Sequence, residues 1–232
     1  MAMLLWLGLF SSCSKQNQLV VYADPWLGEF AREALDSFQV THPAADIHLR
    51  ELSTEVIVQH LHFGQPIDVV LGFGMPEVLE KRAKKGKDIE FAQEKALANT
   101  RIVEVVRGKM PQQTQFDSEG CVIVAASDRP LRHFTEAWMG ALKDSCILYA
   151  DFYTQTRDYL LRGWGSRGFV PEVLARKHAN LLKVRTRGPV LPAAFSAYLP
   201  ASPAHPSMAS AFFDFLGHEK TKELLAKMHL ND

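Results

Sequence analysis

The chain has 232 residues, 47% of them hydrophobic, with 26 basic and 26 acidic side chains. That size and apolar content suit one large or two small globular domains and exclude a disordered chain. The balanced charge excludes a general electrostatic attraction to nucleic acid or to an anionic membrane surface, so partners have to be recognised locally.

Met1 to Phe10 is almost wholly apolar, too short to span a bilayer, and is followed by Ser11-Ser12-Cys13-Ser14. It reads as an export leader. Small residues before Cys13 and a polar tether after it (Ser14 to Gln18) resemble a bacterial lipoprotein signal, which implies a lipid on Cys13 and an anchored, exported protein. Met1 to Leu9 lacks the Lys or Arg usual in such signals, and Phe10 stands where Leu is usual.

A short apolar strand, Leu19 to Ala23, then runs into Asp24-Pro25 and a helix with Phe30, Ala31, Ala34, Leu35 and Phe38 at helical spacing. Asp24 suits an N-cap and Pro25 a first helical position. Helix starts off the ends of parallel strands are where α/β proteins hold small ligands, so Asp24, Pro25 and Trp26 are candidate ligand residues. Trp26 either stacks on a solute or packs under a loop.

Ile47 to Leu52 reads as a second strand and Thr54 to Phe63 as a short helix ended by Gly64-Gln65-Pro66. Ser53 and Thr54 lie between that strand and helix, where either one is a plain N-cap or a cap that also touches a ligand. Ile67 to Gly72 is a third strand and Pro76 to Lys85 a helix, with Lys81 to Lys87 a solvated basic end. This β-α alternation predicts a parallel, doubly wound sheet.

Further on, strands are predicted at Ile102 to Val106, Val122 to Ala126 and Ile147 to Ala150, with a loop at Gly108 to Gly120 and a helix at Leu131 to Leu142. Cys121 and Cys146 open two of these strands and either form a disulfide between neighbours or stay as buried thiols. Asp151 to Thr156 is a second strand-to-helix joint whose Tyr153, Thr154 and Thr156 offer hydroxyl donors. Arg157 either neutralises an anion or pairs with Asp151 or Asp158. After a helix at Arg157 to Arg162, Gly163 to Gly168 reads as a glycine-rich break, Pro171 to Asn180 as helical and Leu182 to Val184 as a strand. Pro189 to Pro206 is partly extended, and two helices follow at Ser207 to Leu216 and Glu219 to Met228.

Val21-Tyr22-Ala23 with His42-Pro43, Ser53-Thr54 with Gly64 to Val70, Asn99 to Val103, Ala150-Asp151, and Ala211 to Leu216 form a cumulative pattern. Together these segments resemble the periplasmic molybdate-binding proteins of ABC importers, within the wider class of extracellular solute-binding proteins. The resemblance implies an α/β, two-lobed periplasmic-binding-protein-like fold (type II), with mostly parallel sheets flanked by helices. Lobe I would comprise 19–99 plus 200–232, lobe II would comprise 100–199, and residues 1–18 would be leader and tether. It also implies capture of a small solute, by resemblance an oxyanion such as molybdate or tungstate, and delivery to a membrane permease.

The family grips its oxyanion with serine hydroxyls, helix amides and a tyrosine. Here Trp26 stands where the first serine is expected, with Asp24 beside it, and Thr156-Arg157-Asp158 replaces a Pro-Ala-Gly turn. The Asp-x-Gly-Ile-x-Tyr strand that carries the tyrosine has no visible counterpart, so lobe II is expected to be reduced. The alternative function is a degenerate solute-binding lipoprotein that serves as a sensory or surface interaction module, or a protein that binds a non-oxyanion ligand. No catalytic motif, cofactor signature or metal site is expected; His60 and His62 lie two apart on a helix and so diverge. The expected protein is a monomer that binds no nucleic acid.

Overall fold

The computed structural model describes residues 17–73, 75, 89–108, 121–125, 146–185, 190–228 and 230. The leader with Cys13, the helix expected at 76–85 with its basic end, most of the loop expected at 108–120 and the helix expected at 131–142 lie outside the described residues.

The first strand, β1 (Gln18–Ala23), is buried on both faces, and its alternating side chains feed two separate cores. It pairs in parallel with β2 (Asp46–Glu51) on one side and β3 (Val69–Phe73) on the other. Leu19, Val21 and Ala23 face α1 (Gly28–Thr41), whose buried stripe is the one read from the sequence: Phe30, Ala31, Ala34, Leu35 and Phe38. Val20 and Tyr22 face α2 (Thr54–His62) through Ile57 and Val58. Gly64, at φ +67°, closes that helix in the left-handed backbone region that a side chain would disfavour.

Two long strands then carry the sheet across the molecule. β4 (Phe91–Arg107) starts eleven residues before the strand expected at Ile102. It pairs antiparallel with β9 (Val190–Pro200), which in turn pairs antiparallel with β3. The parallel arrangement expected for the whole sheet therefore holds only at its two ends. At the far end, β5 (Val122–Ala125) pairs in parallel with β6 (Ile147–Ala150) and with β7 (Arg167–Pro171). The strand order is β2-β1-β3-β9-β4-β7-β5-β6, with β8 (Leu182–Val184) also paired to β4.

Strand β7 corrects the sequence reading, which placed a break and then a helix here. Gly168 pairs with Ile123 of β5 and Val105 of β4, and the position needs glycine because a Cβ there would lie 2.9 Å from the Ile123 carbonyl oxygen. The helix expected over Pro171 to Asn180 is only α4 (Glu172–Arg176), preceded in the chain by α3 (Tyr153–Arg162). The chain closes with α5 (Pro206–Phe215) and α6 (Glu219–Lys227), near their expected places. Phe212 and Phe215 meet Phe38 edge-on at ring-centre distances of 5.2 and 5.6 Å, which packs α5 against α1. Asp68, fully buried, accepts from the Val20 amide (2.7 Å) and the His205 amide (2.5 Å), tying β1 to the start of α5. Cys121 and Cys146, at the starts of β5 and β6, form a disulfide, which settles the two readings left open by the sequence.

Candidate functional site

The first joint is built differently from the simple helix start expected. Asp24 caps a one-turn 3-10 helix, Pro25–Leu27, and α1 begins only at Gly28. The Asp24 amide donates to the Leu71 carbonyl on β3, which fixes the joint to the strand end at 2.9 Å. Its carboxylate accepts from the Trp26 amide (3.4 Å) and from the Thr54 hydroxyl (3.2 Å). Asp24 is only 1% exposed, and burial pushes its carboxyl up to about 7, with the Trp26 and Thr54 hydrogen bonds acting in the opposite sense.

A second carboxylate stands nearby. Glu51, at the end of β2, pairs with Arg32 and lies over the start of α1, where a Cβ on Gly28 would come within 2.5 Å of the Glu51 carboxyl group. The bare glycine leaves room for that carboxylate at the positive end of the helix. Neither Glu51 nor Gly28 is prominent in the sequence; Gly28 inside an otherwise regular helical pattern is the signal that a close approach is needed there.

Trp26 is 6% exposed and meets Phe195 of β9 edge-on at 6.0 Å, so it packs in the core and does not roof an open cleft in this conformation. Ser53 and Thr54 are both 1% exposed. Ser53 caps α2 by accepting from the Val56 amide at 3.4 Å, while Thr54 turns its hydroxyl to Asp24.

At the second joint Tyr153 and Thr156 are fully buried within α3, and Thr154 is partly buried. Arg157 pairs with Asp158 at 2.7 Å, one of the two partners expected for it. The two joints come together: α3 packs against the Pro25–Leu27 turn. The structure thus gathers Asp24, Trp26 and Thr54 at one side of a contact and α3 at the other. Just beyond it, Lys177, in the turn after α4, donates to Glu29 in the first turn of α1, and that hydrogen bond holds the Glu29 carboxyl below its usual range. Sequence spacing offered no sign of this pair, whose members stand 148 positions apart.

Two surface cavities lie elsewhere. One of about 640 Å³ is lined by Leu61, His62, Gln65, Glu90, Pro200 and Ser202. The other, of about 340 Å³, lies between α1 and β2 beside Asp36 and Gln39. Among the described residues no group of three His, Cys, Asp or Glu side chains is placed to hold a metal ion. His60 points at the Tyr22 hydroxyl (3.3 Å) and His62 at Phe63, so the two diverge. Among the described residues no helix is long and apolar enough to cross a membrane.

No family model and no curated protein matches the sequence. Solved structures do match at low identity. The periplasmic molybdate-binding protein of Azotobacter vinelandii aligns at 14% identity over 90% of this chain and 97% of its own, with a TM-score of 0.64. Iron-bound HitA from Pseudomonas aeruginosa aligns at 14% over 90% and 84%, with a TM-score of 0.65. The bromide-bound regulatory domain of HypT from Salmonella typhimurium aligns at 16% over 87% and 94%, with a TM-score of 0.63. The chain is therefore similar both to a periplasmic molybdate-binding protein and to a regulatory domain, and what they share with it is the fold: a central mixed sheet flanked by helices, as in periplasmic binding proteins.

Proposed function

We propose that this chain is the solute-capturing component of a membrane importer, exported, anchored by lipid on Cys13, and non-enzymatic. Two lobes, 19–99 with 200–232 and 100–199, close on a small solute and deliver it to a permease. The observation that supports this is the meeting of the two strand-to-helix joints, since α3 packs on the Pro25–Leu27 turn. A solute held between them stabilises the closed state by its differential affinity for that state.

The chemistry of the joint favours a neutral or cationic polar solute over an oxyanion. Asp24 already occupies the Trp26 amide, and Glu51 occupies the start of α1. Molybdate or tungstate, suggested by the resemblance, would need free amides where the Asp24 carboxyl already accepts from Trp26 and the Arg32-paired Glu51 carboxylate lies over the helix start. The strand β7, Arg167–Pro171, contains no tyrosine that could offer a hydroxyl to an anion.

A second reading, a sensory or interaction module of the same fold, is favoured by the burial of Asp24, Ser53, Thr54, Tyr153 and Thr156 at 0–1% exposure. Thermal unfolding of the exported form with amino acids, amines, sugars, divalent cations, molybdate and tungstate separates the two. A neutral or cationic solute at about 100 times its Kd is expected to stabilise by roughly 2.7 kcal/mol and to raise Tm by several degrees. A rise confined to oxyanions would overturn the solute class proposed, and silence across the panel would favour the module.

A further inference from the structure

We infer that Glu29 and Lys177 form an electrostatic latch that holds the two lobes shut without solute. This rests on the two-lobe reading above but needs no ligand for its test. Glu29 lies in the first turn of α1, two residues after Leu27, and so belongs to the β1 end of the sheet. Lys177 follows α4, which packs against β4, β8 and β7, beyond β9 from the β1 end and within the segment 100–199 proposed as the second lobe. Their ion pair therefore crosses the same boundary as the packing of α3 on the Pro25–Leu27 turn.

The two contacts divide the labour by depth. Inside, Trp26, Leu27 and Tyr153 are 0–6% exposed and give the boundary its apolar packing. At the rim, the Glu29 and Lys177 side chains are 56% and 31% exposed. A pair so placed is screened by salt and contributes modestly, which is what a reversible closure requires. The strands that would have to flex are β4 and β9, and β4 shifts register against β9 between Phe91 and Gln93 and again between Ala96 and Ala98. A solute would then compete against an internal ion pair for access, and the latch sets how often the joint opens.

The test places spin labels on Val40→Cys in α1 and Tyr149→Cys in β6, exposed by 74% and 60% at opposite ends of the sheet, in the otherwise full chain carrying Cys13→Ser. Pulsed distance measurement without solute is expected to give one dominant short distance. Glu29→Lys and Lys177→Glu should each raise the longer-distance population about two- to fivefold, and the double swap should restore the short one. High salt should act on the parent protein as the single reversals do, and Lys177→Arg should leave it unchanged. A long distance in the parent protein, identical distributions in all variants, or a double swap no better than the singles would each overturn the latch. Since no solute is present, such a failure would leave the outcome of the solute panel untouched, and silence from the panel would leave the latch standing.

Discussion

Asp24 is a carboxylate with little to share its charge: hydrogen bonds from Trp26 and Thr54 against complete burial. Its folded pKa of about 7 lies above the ordinary 3.8, so the native state binds the proton more tightly than the unfolded chain does. The associated stability is fully present below about pH 4 and is lost as pH rises through 7. Asp24→Asn imitates the protonated form. Denaturant unfolding at pH 5 and pH 8 should show the variant on the order of a few kcal/mol more stable than the parent at pH 8, with the gap narrowing at pH 5. An equal gap at both pH values would mean that Asp24 does not titrate in this range. The identity of the cap was legible, because Asp before Pro at a strand end has few other uses. Its burial was not, because burial comes from α2 and the neighbouring strand, which propensity does not register. Trp26 was ambiguous for the same reason: Phe195, its partner, lies 169 positions further along the chain.

Among elements, those with a strong period of their own were readable. Helix α1 shows its buried stripe in sequence, and β1 and β3 are continuous apolar runs. Strand β7 was hidden because Gly163, a true left-handed helix end at φ +83°, stands five residues before Gly168, a strand residue pressed against β5, and the two glycines look alike in sequence. The first half of β4 was hidden because Ala92, Gln93 and Glu94 are exposed in succession and give no alternation. The Cys121–Cys146 pair joins strands that already lie side by side, so it constrains the unfolded chain more than it shapes the native one. Closing a loop of this length contributes about 3–4 kcal/mol in the chain-entropy account. Cys121→Ser with Cys146→Ser should therefore lower the stability to denaturant by that amount without changing the far-ultraviolet circular dichroism of the native state. A loss below about 1 kcal/mol would show that the bridge is incidental.

For the whole molecule, the described strands form one sheet, and one apolar cluster runs from Leu19 and Phe38 through Val122 and Phe169 to Leu225. The two ends therefore share a core. Unfolding followed by tryptophan fluorescence and by circular dichroism should give coincident single transitions. Two separated transitions would mean that the ends are energetically independent despite the shared strands. The fold class could be read from β-α alternation, but the joining of the ends could not, because it depends on β9 pairing with both β3 and β4.

That pairing has a consequence for the order in which the chain is made. Strand β3, finished by residue 73, has one neighbour in β1 and receives its second only when residues 195–198 are available. Helix α1 likewise waits for Phe212 and Phe215, and Glu33 for Lys227. The amino-terminal third cannot complete its packing while the rest is still being synthesised. A nascent chain of this design stays incompletely folded until its last helices emerge, the state in which a polypeptide is most easily threaded through a narrow channel.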